Sequence, residues 1–245
     1  MITPNHKRIF CFGCSFTNYD WASWADILKL HFENKGTEVH NYGRRGAGNY
    51  YIFNAIVEAS LEYNFTKDDL ILIQWSGVFR EDRFKDGFWH TPGNILTQPE
   101  YSKSVVDKWF FDEEGMLKRD YSYVHTIQKM LEADNIDYEM FSMNGLIPVS
   151  QYEKENPDIT NTFDFEHLYE DTLSKLHPSM YEIMWGTEDT PMGTAHYREL
   201  KHGVDYHPLP TEHLLYLEKV FQFKPSDELR THVDNITKEL LNDNT

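Results

Sequence analysis

Residues 8–17 read Arg8-Ile9-Phe10-Cys11-Phe12-Gly13-Cys14-Ser15-Phe16-Thr17. A short apolar run ended by glycine predicts a buried strand from Arg8 to Gly13. Trp21, Trp24, Ala25, Leu28 and Phe32 then recur at helical spacing. Glu38 to Tyr42 forms a second strand candidate. Asn49 stands where it can cap a helix that carries Ile52, Ala55, Ile56, Ala59 and Tyr63 on one face. Leu70 to Trp75 is continuously apolar, the pattern of a strand covered on both faces of a parallel sheet. Val124, Ile127 and Leu131 mark another helix, and Asp137 to Met143 a further strand. Two helices close the chain. One carries Leu214, Leu217 and Phe221, and the other Leu229, Val233, Ile236 and Leu240 behind Ser226 as N-cap. This alternation specifies an α/β fold with a mainly parallel sheet and helices on both faces. In such sheets ligands bind beyond the carboxyl ends of the strands.

The chain has 245 residues, enough for one large domain with a sizeable core. We expect a single domain over 1–245, with irregular insertions at about 78–120 and 144–204. Aromatic residues are 15% of the chain, as suits a globular protein. With 23 Lys and Arg against 40 Asp and Glu, the net charge is −17. That argues against nucleic acid as a partner, because its binding draws on cationic contacts to phosphate. It argues equally against an anionic membrane surface. No apolar run approaches the roughly 20 residues that span a bilayer, and no signal-peptide core follows Met1. Two cysteines cannot build a disulfide framework. The oligomeric state is not specified.

The strand ends carry reactive residue types. Gly13-Cys14-Ser15-Phe16-Thr17 follows the first strand. Asn41-Tyr42-Gly43-Arg44-Arg45-Gly46-Ala47-Gly48-Asn49 follows the second, and Trp75-Ser76-Gly77-Val78-Phe79-Arg80 the third. Asp205-Tyr206-His207-Pro208 precedes a C-terminal helix. A serine, glycine-rich turns with free N–H groups and an Asp/His pair are the parts of acyl transfer.

These blocks resemble the SGNH (GDSL-like) hydrolases. Ile9 to Ser15 is similar to the family's first block, with Cys14 in place of its aspartate. Gly46 fits the oxyanion-hole glycine of the second block. Asp205-x-His207-Pro208 is similar to the last block, one residue shorter. Gly-Cys-Ser-Phe-Thr followed by His-Pro and a later histidine, here His213, resembles compact variants found in tailed phages. The resemblance implies a flavodoxin-like three-layer α/β/α sandwich around a mainly parallel five-stranded sheet. It implies Ser15 as nucleophile, His207 as base and Asp205 as its orienter. Ser15, Gly46 and Ser76 would form the oxyanion hole, and Asn49, Trp75 and Arg80 would bind substrate. It calls for no cofactor and no metal. The substrate would be an O-acyl carbohydrate or small ester, and the setting cytoplasmic or virion-associated. The third block departs from the family, which has an Asn whose side chain points into the oxyanion hole. Here that donor is missing or replaced by Ser76 or Arg80, and loss of such a donor costs on the order of 10²–10³ in rate.

Each part also has a plainer reading. Ser15, at a strand–helix junction, suits an N-cap as well as a nucleophile. The glycines suit simple turns, and Gly43-x-x-Gly46-x-Gly48 is not the dinucleotide fingerprint. Cys11 and Cys14 have the spacing of a redox pair, but Cys11 lies within the strand, which favours packing. His196, His202, His207 and His213 lack a helical ligand spacing and read as scattered rather than metal-binding. The aromatics Trp75, Phe79, Phe84, Phe88, Trp89, Trp109 and Phe110 suit packing or a sugar-stacking surface. A non-catalytic binding or structural protein, and an acyltransferase with the same triad, remain the alternatives to an esterase.

Overall fold

A computed structural model describes residues 6–33, 35–99, 101–110, 112–146, 165–186, 198–200 and 203–242. Along the chain run β1 (Arg8–Phe12), α1 (Trp24–Phe32), β2 (Glu38–Asn41), α2 (Asn49–Tyr63) and β3 (Asp69–Trp75). A hairpin of β4 (Arg83–Lys85) and β5 (Phe88–His90) follows, then α3 (Lys103–Trp109), α4 (Glu113–Ala133) and β6 (Asp137–Ser142). A 3-10 turn at Glu166–Tyr169 leads into α5 (Glu170–Leu173) and α6 (Met180–Trp185). Then come β7 (Arg198–Leu200), β8 (Gly203–Asp205), α7 (Pro210–Phe221) and α8 (Asp227–Asn242).

The central sheet has the order β2-β1-β3-β6, and every pairing in it is parallel. Among the described residues this sheet has four strands, where the resemblance implied five. Side chains along a strand point alternately to opposite faces. Ile9, Cys11, Leu70 and Leu72 therefore pack on one side against α1, α7 and α8, in a cluster with Trp24, Leu28, Leu217 and Val233. Phe10, Phe12, Ile71, Ile73 and Trp75 pack on the other against α2 and α4, with Ile56, Tyr121, Val124 and Ile127. Two apolar faces on each central strand need two helical layers, which explains the continuous apolar runs.

Several local expectations change. Helix α1 starts at Trp24, not Trp21, because Ser23 and Asp26 form a reciprocal capping box. Asn49 does not cap α2; Gly48 holds that position, and the Asn49 side chain turns inward. Ser226 does receive the Leu229 N–H, as an N-cap does. The stretch 78–120 contains the β4–β5 hairpin, α3 and the first turns of α4. Much of 144–204, with His196 and His202, lies outside the described residues. Among the described residues no helix is long and apolar enough to cross a membrane.

Candidate active site

Strand β1 has β2 on one side and β3 on the other, so its carboxyl end lies where the chain reverses direction across the sheet. Such a switch point opens a crevice. Ser15 sits there in a turn closed by Thr17 and Asn18 N–H groups on the Cys14 carbonyl. Gly13 is required: a Cβ would come within 2.0 Å of Thr17 Oγ1 and 2.8 Å of Gln74 Oε1. The turn is stitched to the second block by Arg44 N–H on the Gly13 carbonyl and by Asn18 Nδ2 on the Gly43 carbonyl.

The other half of the site comes from the far end of the chain. His207 Nε2 lies 2.9 Å from Ser15 Oγ, and His207 Nδ1 lies 2.8 Å from Asp205 Oδ1. Asp205 Oδ1 also accepts the His207 N–H at 2.7 Å, so the short Asp-x-His spacing closes its own loop. Trp21 Nε1 donates to the Pro208 carbonyl at 2.7 Å and fixes that loop from the first block.

Protonation follows from these contacts. Burial raises the Asp205 carboxyl pKa, but donors from Tyr19 and from the His207 backbone and ring outweigh it and hold it below 3.8. An ionised carboxylate only accepts, so the proton of a neutral His207 is on Nδ1 and the Nε2 lone pair faces the serine hydroxyl. Burial lowers the His207 pKa from 6.5, Asp205 opposes this, and the Arg80 and Arg45 charges add to it.

Ser15, Gly46, Arg80 and His207 share one pocket of about 200 Å³. Its walls also include Tyr19, Arg45 and Tyr206, and Pro92 to Asn94 with Thr97 and Gln98 beyond the hairpin. Gly46 has φ +71°, and a Cβ there would meet the Thr91 carbonyl oxygen at 2.0 Å. Neither the Ser15 nor the Gly46 N–H has a hydrogen-bond partner among the described residues.

Three expected site residues stand elsewhere. Asn49 is 1% exposed and does not line the pocket. Its Oδ1 takes the Ser76 N–H at 2.7 Å, and its Nδ2 donates to the Ser76 carbonyl and Asp120 Oδ2. It braces the third-block loop from behind rather than meeting substrate. Trp75 is fully buried in the helix-covered core, since strand alternation turns it there. Ser76 is fully buried, and among the described residues its hydroxyl has no hydrogen-bond partner and is not on the pocket wall.

Ser15 does not cap a helix, since α1 begins nine residues later, at Trp24 behind Ser23. The dipole of α1 therefore does not act at Ser15. Cys14 is buried toward Gln74 and Met143, and both cysteines are free thiols. His213 is buried against Phe16, and burial pushes it down to about 3. Phe84, Phe88 and Trp109 are exposed but not on the pocket; its aromatic walls are Phe16, Tyr19 and Tyr206.

Sequence reasoning missed Tyr19. Its hydroxyl donates to Asp205 Oδ2, and its ring is stacked on His207. No motif marks a tyrosine four residues beyond a serine, although its place in the first-block loop could have flagged it.

No protein-family model matches the chain, and no curated protein matches it. Among solved structures it is similar to a G-D-S-L family protein from Desulfitobacterium hafniense DCB-2. The TM-score is 0.46 and the identity 13%, over 93% of this chain and 99% of that one. A member of the lipolytic protein G-D-S-L family from Veillonella parvula DSM 2008 gives 0.42 and 14%, over 88% and 99%. The psychrotrophic esterase EstA from Pseudoalteromonas sp., inhibited by monoethylphosphonate, gives 0.40 and 12%, over 96% and 97%.

Proposed function

We propose that the chain is a serine ester hydrolase of the SGNH type. The observation that carries this is the unbroken line Ser15 Oγ, His207 ring, Asp205 carboxylate, with links of 2.9 and 2.8 Å at a pocket wall. His207 Nε2 takes the Ser15 proton as Oγ attacks the ester carbonyl. The unpartnered N–H groups of Ser15 and Gly46 receive the oxyanion. The C–O bond to the alcohol breaks, and the alcohol leaves with the proton from His207. Water, deprotonated by the same ring, then cleaves the acyl-Ser15 ester. Asp205 steadies the imidazolium throughout. The substrate class is a small ester or an O-acyl carbohydrate, and a pocket of about 200 Å³ suits a short acyl group.

Labelling with a fluorophosphonate probe tests this reading. Wild type should be labelled on Ser15, and Ser15→Ala should not. A folded wild-type protein that takes no label is a non-catalytic binder. Turnover that yields a transfer product only when a sugar acceptor is added identifies an acyltransferase.

A further inference from the structure

Among the described residues the pocket wall holds two arginines, Arg45 and Arg80, and no aspartate or glutamate. The chain as a whole has 40 acids and 23 bases, so the pocket reverses the charge of its surroundings.

Arg80 is 7% exposed. Its Nη1 donates to the Ala47 carbonyl at 2.9 Å, and its Nη2 faces Met143 Sδ at 3.7 Å. Both partners are neutral. Asp82, whose pKa burial raises, lies close enough for Arg80 to lower it, but its oxygens accept the Gly48 and Tyr51 N–H groups and it makes no direct ion pair with Arg80. Among the described residues no carboxylate pairs with Arg80. The contrast is Arg119, which is paired with both Asp120 and Glu81. A buried cation with no directly paired carboxylate is costly, and a guanidinium has paired N–H groups shaped for one. Arg45 also lines the pocket, but Asp20 already pairs its guanidinium over the Tyr19 ring, so Arg80 carries the proposed anion site.

We propose that the pocket takes a short acyl group that ends in a carboxylate, so that the substrate is the half-ester of a small dicarboxylic acid. Arg80 holds the free carboxylate while the ester carbonyl faces Ser15. This rests on Ser15 being the nucleophile. The reaction is the hydrolysis already described, with a dicarboxylate released instead of a neutral-tailed acid. The acidic shell disfavours polyanions, whereas a small monoanion that reaches the mouth meets the Arg80 guanidinium.

Binding to the Ser15→Ala variant tests the proposal without turnover, so failure of the esterase reading leaves this result interpretable. Calorimetric titration compares monomethyl succinate with its neutral counterpart, dimethyl succinate. The monoanion should bind at least about tenfold more tightly, and salt should weaken it. Adding Arg80→Met should reduce the preference to about twofold or less, and Arg80→Lys, which keeps the charge, should retain part of it. Circular dichroism checks that each variant is folded. Equal binding of the two esters, or a preference that survives Arg80→Met, overturns the proposal. A kinetic arm compares mono-4-nitrophenyl succinate with 4-nitrophenyl butyrate in the Ser15 enzyme. If Arg80→Met lowers kcat/KM by one common factor for both, Arg80 serves the oxyanion and the proposal falls.

Discussion

The Tyr19 hydroxyl donates to Asp205 Oδ2 at 2.5 Å, and its ring lies over the His207 imidazole with centroids 3.7 Å apart and planes 18° from parallel. One side chain therefore touches two members of the proposed triad. The hydroxyl spreads the charge of Asp205, and the ring gives the imidazolium an aromatic face. Burial and the Asp205 contact keep the Tyr19 phenol protonated, so it remains a donor.

A pH prediction follows. Burial and two arginines lower the His207 pKa, so the neutral base persists below the ordinary value of 6.5 and the acid limb of kcat/KM lies beneath it. Tyr19→Phe keeps the ring and removes the donor. Asp205 then attracts the imidazolium more strongly, and the limb moves to higher pH by up to about one unit. Tyr19→Leu also removes the stack and lowers kcat further. A Phe variant with an unmoved acid limb would show that the hydroxyl does not tune His207.

Gly46→Ala should affect activity more than stability. A left-handed backbone costs a β-carbon about 1–2 kcal/mol, and the new methyl presses on the Thr91 carbonyl. Displacing the Gly46 N–H should reduce kcat by roughly 10²-fold, as loss of one oxyanion donor does. Circular dichroism should remain near wild type. Full activity in the alanine variant would remove Gly46 from the oxyanion hole.

Asn49→Ala should instead destabilise the fold. The change leaves the Ser76 N–H and carbonyl and one Asp120 oxygen without their partner in a buried place. Buried groups so stranded cost about 1–3 kcal/mol each. For a chain of this size the melting temperature should fall by at least about 4 °C. Calorimetry measures it, and a shift under 1 °C would contradict a bracing role.

Acid stability depends on Asp69. Burial raises its pKa, but Arg8 and the Thr66 backbone and hydroxyl donors lower it below 3.8 overall. The folded state thus holds this proton more weakly than the unfolded chain. Its contribution is complete above pH 3.8 and is lost as pH falls through the folded value. Asp69→Asn should lower stability at pH 7 by about 1.5–3 kcal/mol and reduce the difference from wild type as the pH drops. Urea unfolding at pH 7 and pH 3 distinguishes this from a constant penalty.

The sheet core was legible in the sequence because β1 and β3 are continuous apolar runs whose burial needs no distant information. Strand-end position and chain order also singled out Ser15, Asp205 and His207, which the fold brings within hydrogen-bond reach of one another. Asn49 was misread because its partners, Ser76 and Asp120, lie 27 and 71 residues away. Trp75 was misread because its face depends on register along β3. The wall from Pro92 to Gln98 has no periodicity, so nothing local announced it.

That wall is fastened to the second block at several points. Arg44 reaches the Trp89 carbonyl and Thr91 Oγ1, Thr91 Oγ1 donates to the Arg45 carbonyl, and Gly46 lies against the Thr91 backbone. A segment bolted to the oxyanion turn does not swing as a hinged lid. In the proposed reaction it would work as a ruler, with the acyl group measured against a fixed length instead of being enclosed after it enters.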